Sequence, residues 1–277
     1  MKGGKGIVAG CIVPHPPLLI PAIGGRDLER VRSTKEGMER LARTLAGLQP
    51  DVLVMISPHT PLFRDAFTVK AAPELEGSFA AFGRPQVRIA KRNDLQLAKH
   101  LAEKAAEKGV PLVLLESSRG RWLDRGEELD HGLLVPLYYL DQQLETPIVS
   151  LSISALGYQD HFRLGRLVRE ACQDTGRRAV FVASGDLSHR LIKGAPAGYS
   201  PRGAEFDRRI AEMASSGDFD ALYDLEEDLV EEAGECGLRS IHTMWGALKN
   251  GSLENEVLSY EGPFGVGYLV SLHLVTG

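Results

Sequence analysis

A chain of 277 residues with an apolar fraction of 43% has enough material for a large core, and α/β sandwiches of that length fold as one unit, so length forces no split. A net charge of −5 argues against a nucleic-acid surface, which needs a basic stripe; Arg119, Arg121 and Arg125 cluster only locally, as a solvated loop does. Cys11, Cys172 and Cys236 lie far apart with no CxxC spacing, which excludes a disulfide framework and fits a reducing cytoplasm.

The basic start MKGGKG leads into an apolar run, GIVAGCIV, that reads as a strand covered on both faces. Pro14, His15, Pro16 and Pro17 cut that run short of a signal peptide's core. No stretch of the chain approaches the ~18 apolar residues of a membrane helix, so a cytoplasmic chain without a membrane span is expected. Residues 26–48 carry Leu28, Val31, Met38, Leu41, Leu45 and Leu48 at helical spacing, with Gly37 as a weak spot. DVLVMIS, residues 51–57, is a second buried strand stopped by Pro58. Asp94 is placed to cap a helix to Lys108, ended by Gly109.

Further strands fall at 111–115, 147–153 and 179–183, with helices at 133–143, 161–174, 201–215 and 238–249. Strands at 256–260 and 267–275 close the chain. This alternation predicts one α/β domain over residues 1–277, a three-layer α/β/α sandwich around a central mixed sheet. The Pro/Gly-rich stretch 194–203 reads as a surface loop or lid, not a linker.

The histidines carry the functional information. His15, His59 and His189 each follow a predicted strand, and open α/β sheets bind ligands outside the carboxyl ends of their strands. PHPPLLIP and SPHTP hold His15 and His59 between prolines, which lowers the cost of ordering a loop. In SGDLSHR, Asp186 is available either to orient an imidazole or to bond backbone amides. AGECG sets Glu235 and Cys236 between Gly234 and Gly237, just ahead of a helix, while EEDLVEE before it reads as a solvated face. His131 in LDHGLLVPL opens a helix, where its neutral form is favoured. His100, His161 and His273 read as structural, and His242 as a neighbour of the site at most. Two histidines and a carboxylate suit non-haem Fe(II) and dioxygen, and the same ligands suit zinc with an activated water.

PHPPLLIP, SPHTP, LDHGLLVPL, SGDLSHR and GECG, in that order, resemble the class III extradiol ring-cleavage dioxygenases, the superfamily of the protocatechuate 4,5-dioxygenase catalytic subunit. The resemblance spans nearly the whole chain. It implies His15, His59 and Glu235 as ligands of Fe(II), with zinc or another divalent metal as substitutes. It implies His189 as the acid/base and His131 as a second pocket histidine. An aromatic diol of the catechol type and O2 would be the substrates, in a homodimer or with a partner subunit, and neither nucleic acid nor membrane is involved. The Memo-like branch of the superfamily is similar at these positions but has a cysteine near Glu235. Cys236 therefore stays open as a ligand or redox-sensitive thiol, and with it stay a metal-binding or redox protein without ring cleavage, and a zinc-dependent hydrolase. Arg190 and Arg239 are the two cations beside motifs that are available to a substrate carboxylate.

Overall fold

A computed structural model describes residues 5–116 and 126–276 of the protein; the basic cluster of Arg119, Arg121 and Arg125 lies outside the described residues. β1 (Gly6–Val13) is followed by a short helix, α1 (Pro21–Gly24), and a 3-10 helix, Gly25–Val31, and then by α2 (Arg32–Leu48). The single helix expected over 26–48 is thus two pieces. Leu28 and Val31 are three apart, the period of a 3-10 helix, and Val31 leaves helical backbone at φ −115°, ψ 30°.

β2 (Val52–Ser57) and β3 (Phe67–Lys70) precede a hairpin of β4 (Glu74–Phe79) and β5 (Arg84–Arg92). α3 (Leu95–Glu107) follows, and the Asp94 carboxylate accepts from the Leu97 amide at 3.1 Å, so the predicted cap is present. β6 (Leu112–Leu115), α4 (His131–Leu140), β7 (Ile148–Ser152), α5 (Tyr158–Asp174) and β8 (Arg178–Ser184) come next. The chain continues through α6 (Pro201–Ser216), α7 (Glu227–Ala233), α8 (Leu238–Leu248), β9 (Ser252–Glu261) and β10 (Tyr268–Thr276). The acidic run read as a solvated face forms α7, which buries Leu229 and Ala233.

Eight strands form one mixed sheet in the order β6-β3-β7-β2-β8-β1-β10-β9, and β4-β5 form a separate pair. The four central strands are parallel. Their side chains alternate between two apolar cores, as the period of two requires. Val52, Val54 and Ile56 pack with α3, α5, α6 and α8, while Leu53 and Met55 pack with α2 and α4. Helices on both faces give three layers, as the sequence implied. Two features position the site. Val13 pairs with Ser184 and Ile56 with Ala183, so β1, β2 and β8 end level along one edge. The N-termini of α4 and α8 then approach that edge from opposite faces of the sheet. Among the described residues no helix is long and apolar enough to cross a membrane.

Candidate metal centre

His15 leaves the end of β1 and is buried. Its backbone amide donates to Asp186 Oδ1 at 2.9 Å, so Asp186 serves that amide, although its other oxygen also lies 4.0 Å from His15 Nε2. His15 Nδ1 lies 2.9 Å from Ser184 Oγ, and Ser184 Oγ in turn lies 2.5 Å from the Gly132 carbonyl. A hydroxyl has one proton, and the carbonyl can only accept. Ser184 therefore donates to Gly132 and accepts from His15. That places the His15 proton on Nδ1 and leaves a bare lone pair on Nε2, the tautomer a metal requires.

His59 follows β2 in a loop tied down by Asp130. Ser57 Oγ donates to Asp130 Oδ1 and Thr60 Oγ1 to Asp130 Oδ2, both at 2.6 Å, and the His59 amide donates to Ser57 Oγ at 3.1 Å. Asp130 directly precedes His131, so its carboxylate ties the His59 loop to the start of α4. The His59 and His131 rings lie 4.1 Å apart, tilted by 31°, and His15 meets His131 edge-on at 5.5 Å. Burial holds His15 well below the usual imidazole range, helped by the charges His59, His131 and His189 would carry. Burial likewise brings His131 down to about 4, with the His59 charge adding to it and Asp130 opposing. Both rings are neutral at physiological pH.

The segment 234–237 delivers the third group. A Cβ on Gly185 would lie 2.1 Å from Gly237 Cα, so only glycine lets the end of β8 meet the start of α8 this closely. Cys236 Sγ then lies 3.7 Å from His15 Nε2, and accepts from the Asp186 amide at 3.2 Å. The ligand set expected from the sequence is brought together only in part. Gly237, at the cap of α8, offers no side chain, and the Glu235 carboxylate takes that place by accepting from the Leu238 amide at 2.5 Å. Among the described residues, the His, Cys and carboxylate donors that converge are His15, His59 and Cys236, within 4.8 Å of one another. Burial raises the Cys236 thiol well above its ordinary value, with the Asp186 and Glu235 charges adding to it, so without a cation it stays protonated.

This donor set fits a divalent metal. Nε2 of His15 and Nε2 of His59 lie 3.0 Å apart. Two metal–nitrogen bonds of roughly 2.1 Å at right-angled to tetrahedral geometry put their nitrogens about 3.0–3.4 Å apart, and a thiolate at about 2.3 Å lies roughly 3.5 Å from either nitrogen. Imidazole suits zinc, iron and copper alike, whereas the thiolate shifts preference toward softer ions.

His189 lies beyond β8, its amide donating to the Ala233 carbonyl at 3.1 Å. Burial lowers its pKa while the Gly234 and Leu187 carbonyls oppose, leaving a ring that is neutral and ready to accept a proton. Arg190 and Arg239 each bury an Nε that has no hydrogen-bond partner, and neither forms an ion pair among the described residues. His242 is buried against Tyr158 at 4.5 Å, outside the cluster. His161 bonds the Ser154 amide and the Gly157 carbonyl, as a structural histidine does. Ser57, Thr60, Asp130 and Ser184 escaped the sequence reading. All four stand inside the histidine motifs, Ser57 and Thr60 in SPHTP, Asp130 in LDHGLLVPL and Ser184 in SGDLSHR, each beside a strand end or a site histidine, and that adjacency was the available signal.

Residues 9–271 match the family described as the catalytic LigB subunit of aromatic ring-opening dioxygenase. Protein CA_C1420 of Clostridium acetobutylicum is 34% identical over 258 residues, an alignment that covers 93% of this chain. The chain spans only 55% of that protein's length. The 2-aminophenol 1,6-dioxygenase beta subunit of a Pseudomonas species is 26% identical, with 98% of this chain and 94% of that subunit covered. The 3,4-dihydroxyphenylacetate 2,3-dioxygenase of Escherichia coli is 23% identical over 76% of each chain. The crystal structure of an uncharacterized protein, JW3007, from Escherichia coli K12 shares the fold with a TM-score of 0.64 at 21% identity, covering 96% of this chain and 99% of that one.

Proposed function

The chain belongs to the family of the catalytic LigB subunit of aromatic ring-opening dioxygenases, and on that premise we propose that it opens an aromatic ring bearing adjacent hydroxyl groups, using O2 and Fe(II) held by His15, His59 and Cys236. The observation that carries this reading is the convergence of two imidazole Nε2 atoms at 3.0 Å with a thiol sulfur 3.7 Å from one of them, at the edge where three strands end. The names of two relatives, a 2-aminophenol and a 3,4-dihydroxyphenylacetate dioxygenase, both describe rings with neighbouring polar substituents, which supports that substrate class. The name of the Pseudomonas relative, a beta subunit, supports work with a partner subunit, and a homodimer is the other arrangement.

When bound, the metal supplies a Lewis acid that lowers the pKa of a chelated diol and a redox-active centre for O2. The chain's residues do the rest. Ser184 fixes the His15 proton on Nδ1, so Nε2 stays available at the lowest reorganisation cost. Asp130 holds the His59 loop and the start of α4 as one piece. His189, neutral at physiological pH, takes the second hydroxyl proton and later returns it. His131, also neutral, donates a hydrogen bond to substrate oxygen without adding a charge.

Cys236 gives a second reading a specific footing. A thiolate is oxidised by the same O2 that ring opening consumes, so a metal-binding or redox protein without ring-opening activity also suits this donor set. Anaerobic loading with Fe(II), followed by O2 uptake with catechols and 2-aminophenols, separates the two. Metal-dependent O2 uptake with a yellow ring-opened product is expected. Tight metal binding without O2 uptake across that panel would favour the second reading.

A further inference from the structure

One aromatic side chain in contact with the histidine cluster belongs to the β4–β5 hairpin, which lies outside the main sheet. Phe82 ends a 3-10 helix, Ala80–Phe82, in the turn of that hairpin, and is 38% exposed. A lone exposed phenylalanine is ordinary. This one is distinguished by its contact, for its ring meets His131 at 5.4 Å and 67°, and His131 in turn lies 4.1 Å from His59. Phe82 is therefore the outer end of a row of rings whose inner end is the metal-binding pair.

The turn is anchored to both loops that build the site. The Glu76 amide donates to the Glu127 carbonyl at 2.8 Å and the Leu129 amide to the Glu76 carbonyl at 2.7 Å, which fastens β4 to the segment leading into His131. Arg84 Nε donates to the Ala22 carbonyl at 2.5 Å, fastening the turn to the chain that follows His15. Phe79, three residues before Phe82, is fully buried and fixes the base of the turn. Phe82 is thus held in place while its ring remains open to solvent.

We propose that Phe82 is a specificity-determining residue that contacts an apolar substituent on the substrate ring, so that the chain selects alkyl- or aryl-substituted diols over carboxylated ones. The assignment rests on the ring-opening reading and names the substrate class within it. The rings run from His59 through His131 to Phe82, so a substituent that followed this row outward from a ring bound beside the two histidines would meet Phe82. Among the described residues no cation stacks on the Phe82 ring. Arg84, the nearest cation in sequence, commits its guanidinium to the Ala22 and Gly83 carbonyls. A carboxylate lodged against the Phe82 ring loses hydration without gaining a partner there, whereas an alkyl group gains by leaving water.

The test is binding, not turnover. Wild type, Phe82→Ala and Phe82→Arg are loaded anaerobically with Fe(II), and metal content is measured first. Binding of 4-nitrocatechol is followed by absorbance. Catechol, 4-propylcatechol and 3-(3,4-dihydroxyphenyl)propanoate then compete for the site. The expected outcome is that wild type prefers 4-propylcatechol to the propanoate, and that Phe82→Ala weakens 4-propylcatechol about tenfold. The alanine variant should leave catechol and metal content within about twofold, and Phe82→Arg should reverse the preference between the two substituted diols. If wild type binds catechols but Phe82→Ala changes none of them, or weakens all equally, the assignment is overturned while the ring-opening reading stands. If metal-loaded wild type binds no catechol, both fall.

Discussion

Replacing Ser184 with Ala isolates the claim that a single hydroxyl prepares His15 for a metal. Ser184 is fully buried, and its Oγ bridges His15 Nδ1 at 2.9 Å and the Gly132 carbonyl at 2.5 Å. Alanine leaves an imidazole N–H and a carbonyl without partners in a dry site. Each of the two orphans costs about 1–3 kcal/mol, so folding stability should fall by on the order of 2–6 kcal/mol. The imidazole is also freed to carry its proton on Nε2, where it competes with the metal. Loss of such an outer partner lowers metal affinity by about 10–100-fold. Zn(II) affinity, measured by competition with a chromophoric chelator well below the unfolding midpoint, reads this directly, with circular dichroism confirming the fold. Ser184→Thr, which keeps the hydroxyl, should recover most of the affinity. A folded Ser184→Ala protein that binds Zn(II) within about twofold of wild type would refute the tautomer argument.

Cys236→Ser should lose most of its metal, while Glu235→Ala should keep it and lose about 0.5–2 kcal/mol of stability as the cap of α8 is removed; metal analysis and urea unfolding report the two effects separately. His189→Gln should keep its metal yet lose about 10²-fold or more in ring opening under O2-uptake assay, and simultaneous loss of metal would make His189 a ligand instead. Asp207, fully buried and bonded to the Ser188 amide and the Tyr260 hydroxyl, is raised by burial from 3.8 to about 7. Its folded pKa lies above the unfolded one, so the stability it contributes is complete below about pH 4 and is lost as pH rises through 7. Unfolding midpoints measured from pH 5 to 8 should therefore fall more for wild type than for Asp207→Asn, and parallel curves would count against this. Limited proteolysis should release no pair of independently folded halves, since the main sheet interleaves strands from both ends of the chain.

The parallel centre of the sheet was legible because β1 and β2 are continuous apolar runs closed by prolines, and those same prolines marked His15 and His59. Strand β3 was not, because Lys70 interrupts its apolar pattern and is nevertheless buried, its ammonium bonded to the Glu128 carbonyl at 2.6 Å. The β4–β5 hairpin escaped for the opposite reason. Most of β5 faces solvent, so no core-facing period shows, and Phe82 went unread with it. Between Glu235 and Cys236 backbone geometry offered no decision, because the flanking glycines let either turn inward, and the expectation of Glu235 rested on the fit of oxygen ligands to Fe(II) and on the resemblance. One signal did exist. The helix beginning at Leu238 has glycine at its cap and no acidic residue in its first turn, so its free amides needed an acceptor, and Glu235 is the carboxylate just ahead of them.

X-ray absorption at the metal edge of the anaerobically loaded wild-type chain tests the His15–His59–Cys236 site most directly. Two imidazole nitrogens at about 2.1 Å and one sulfur at about 2.3 Å are expected, with the sulfur absent from Cys236→Ser and retained in Glu235→Ala. A shell of nitrogen and oxygen alone in wild type, lost with Glu235 and indifferent to Cys236, would contradict it.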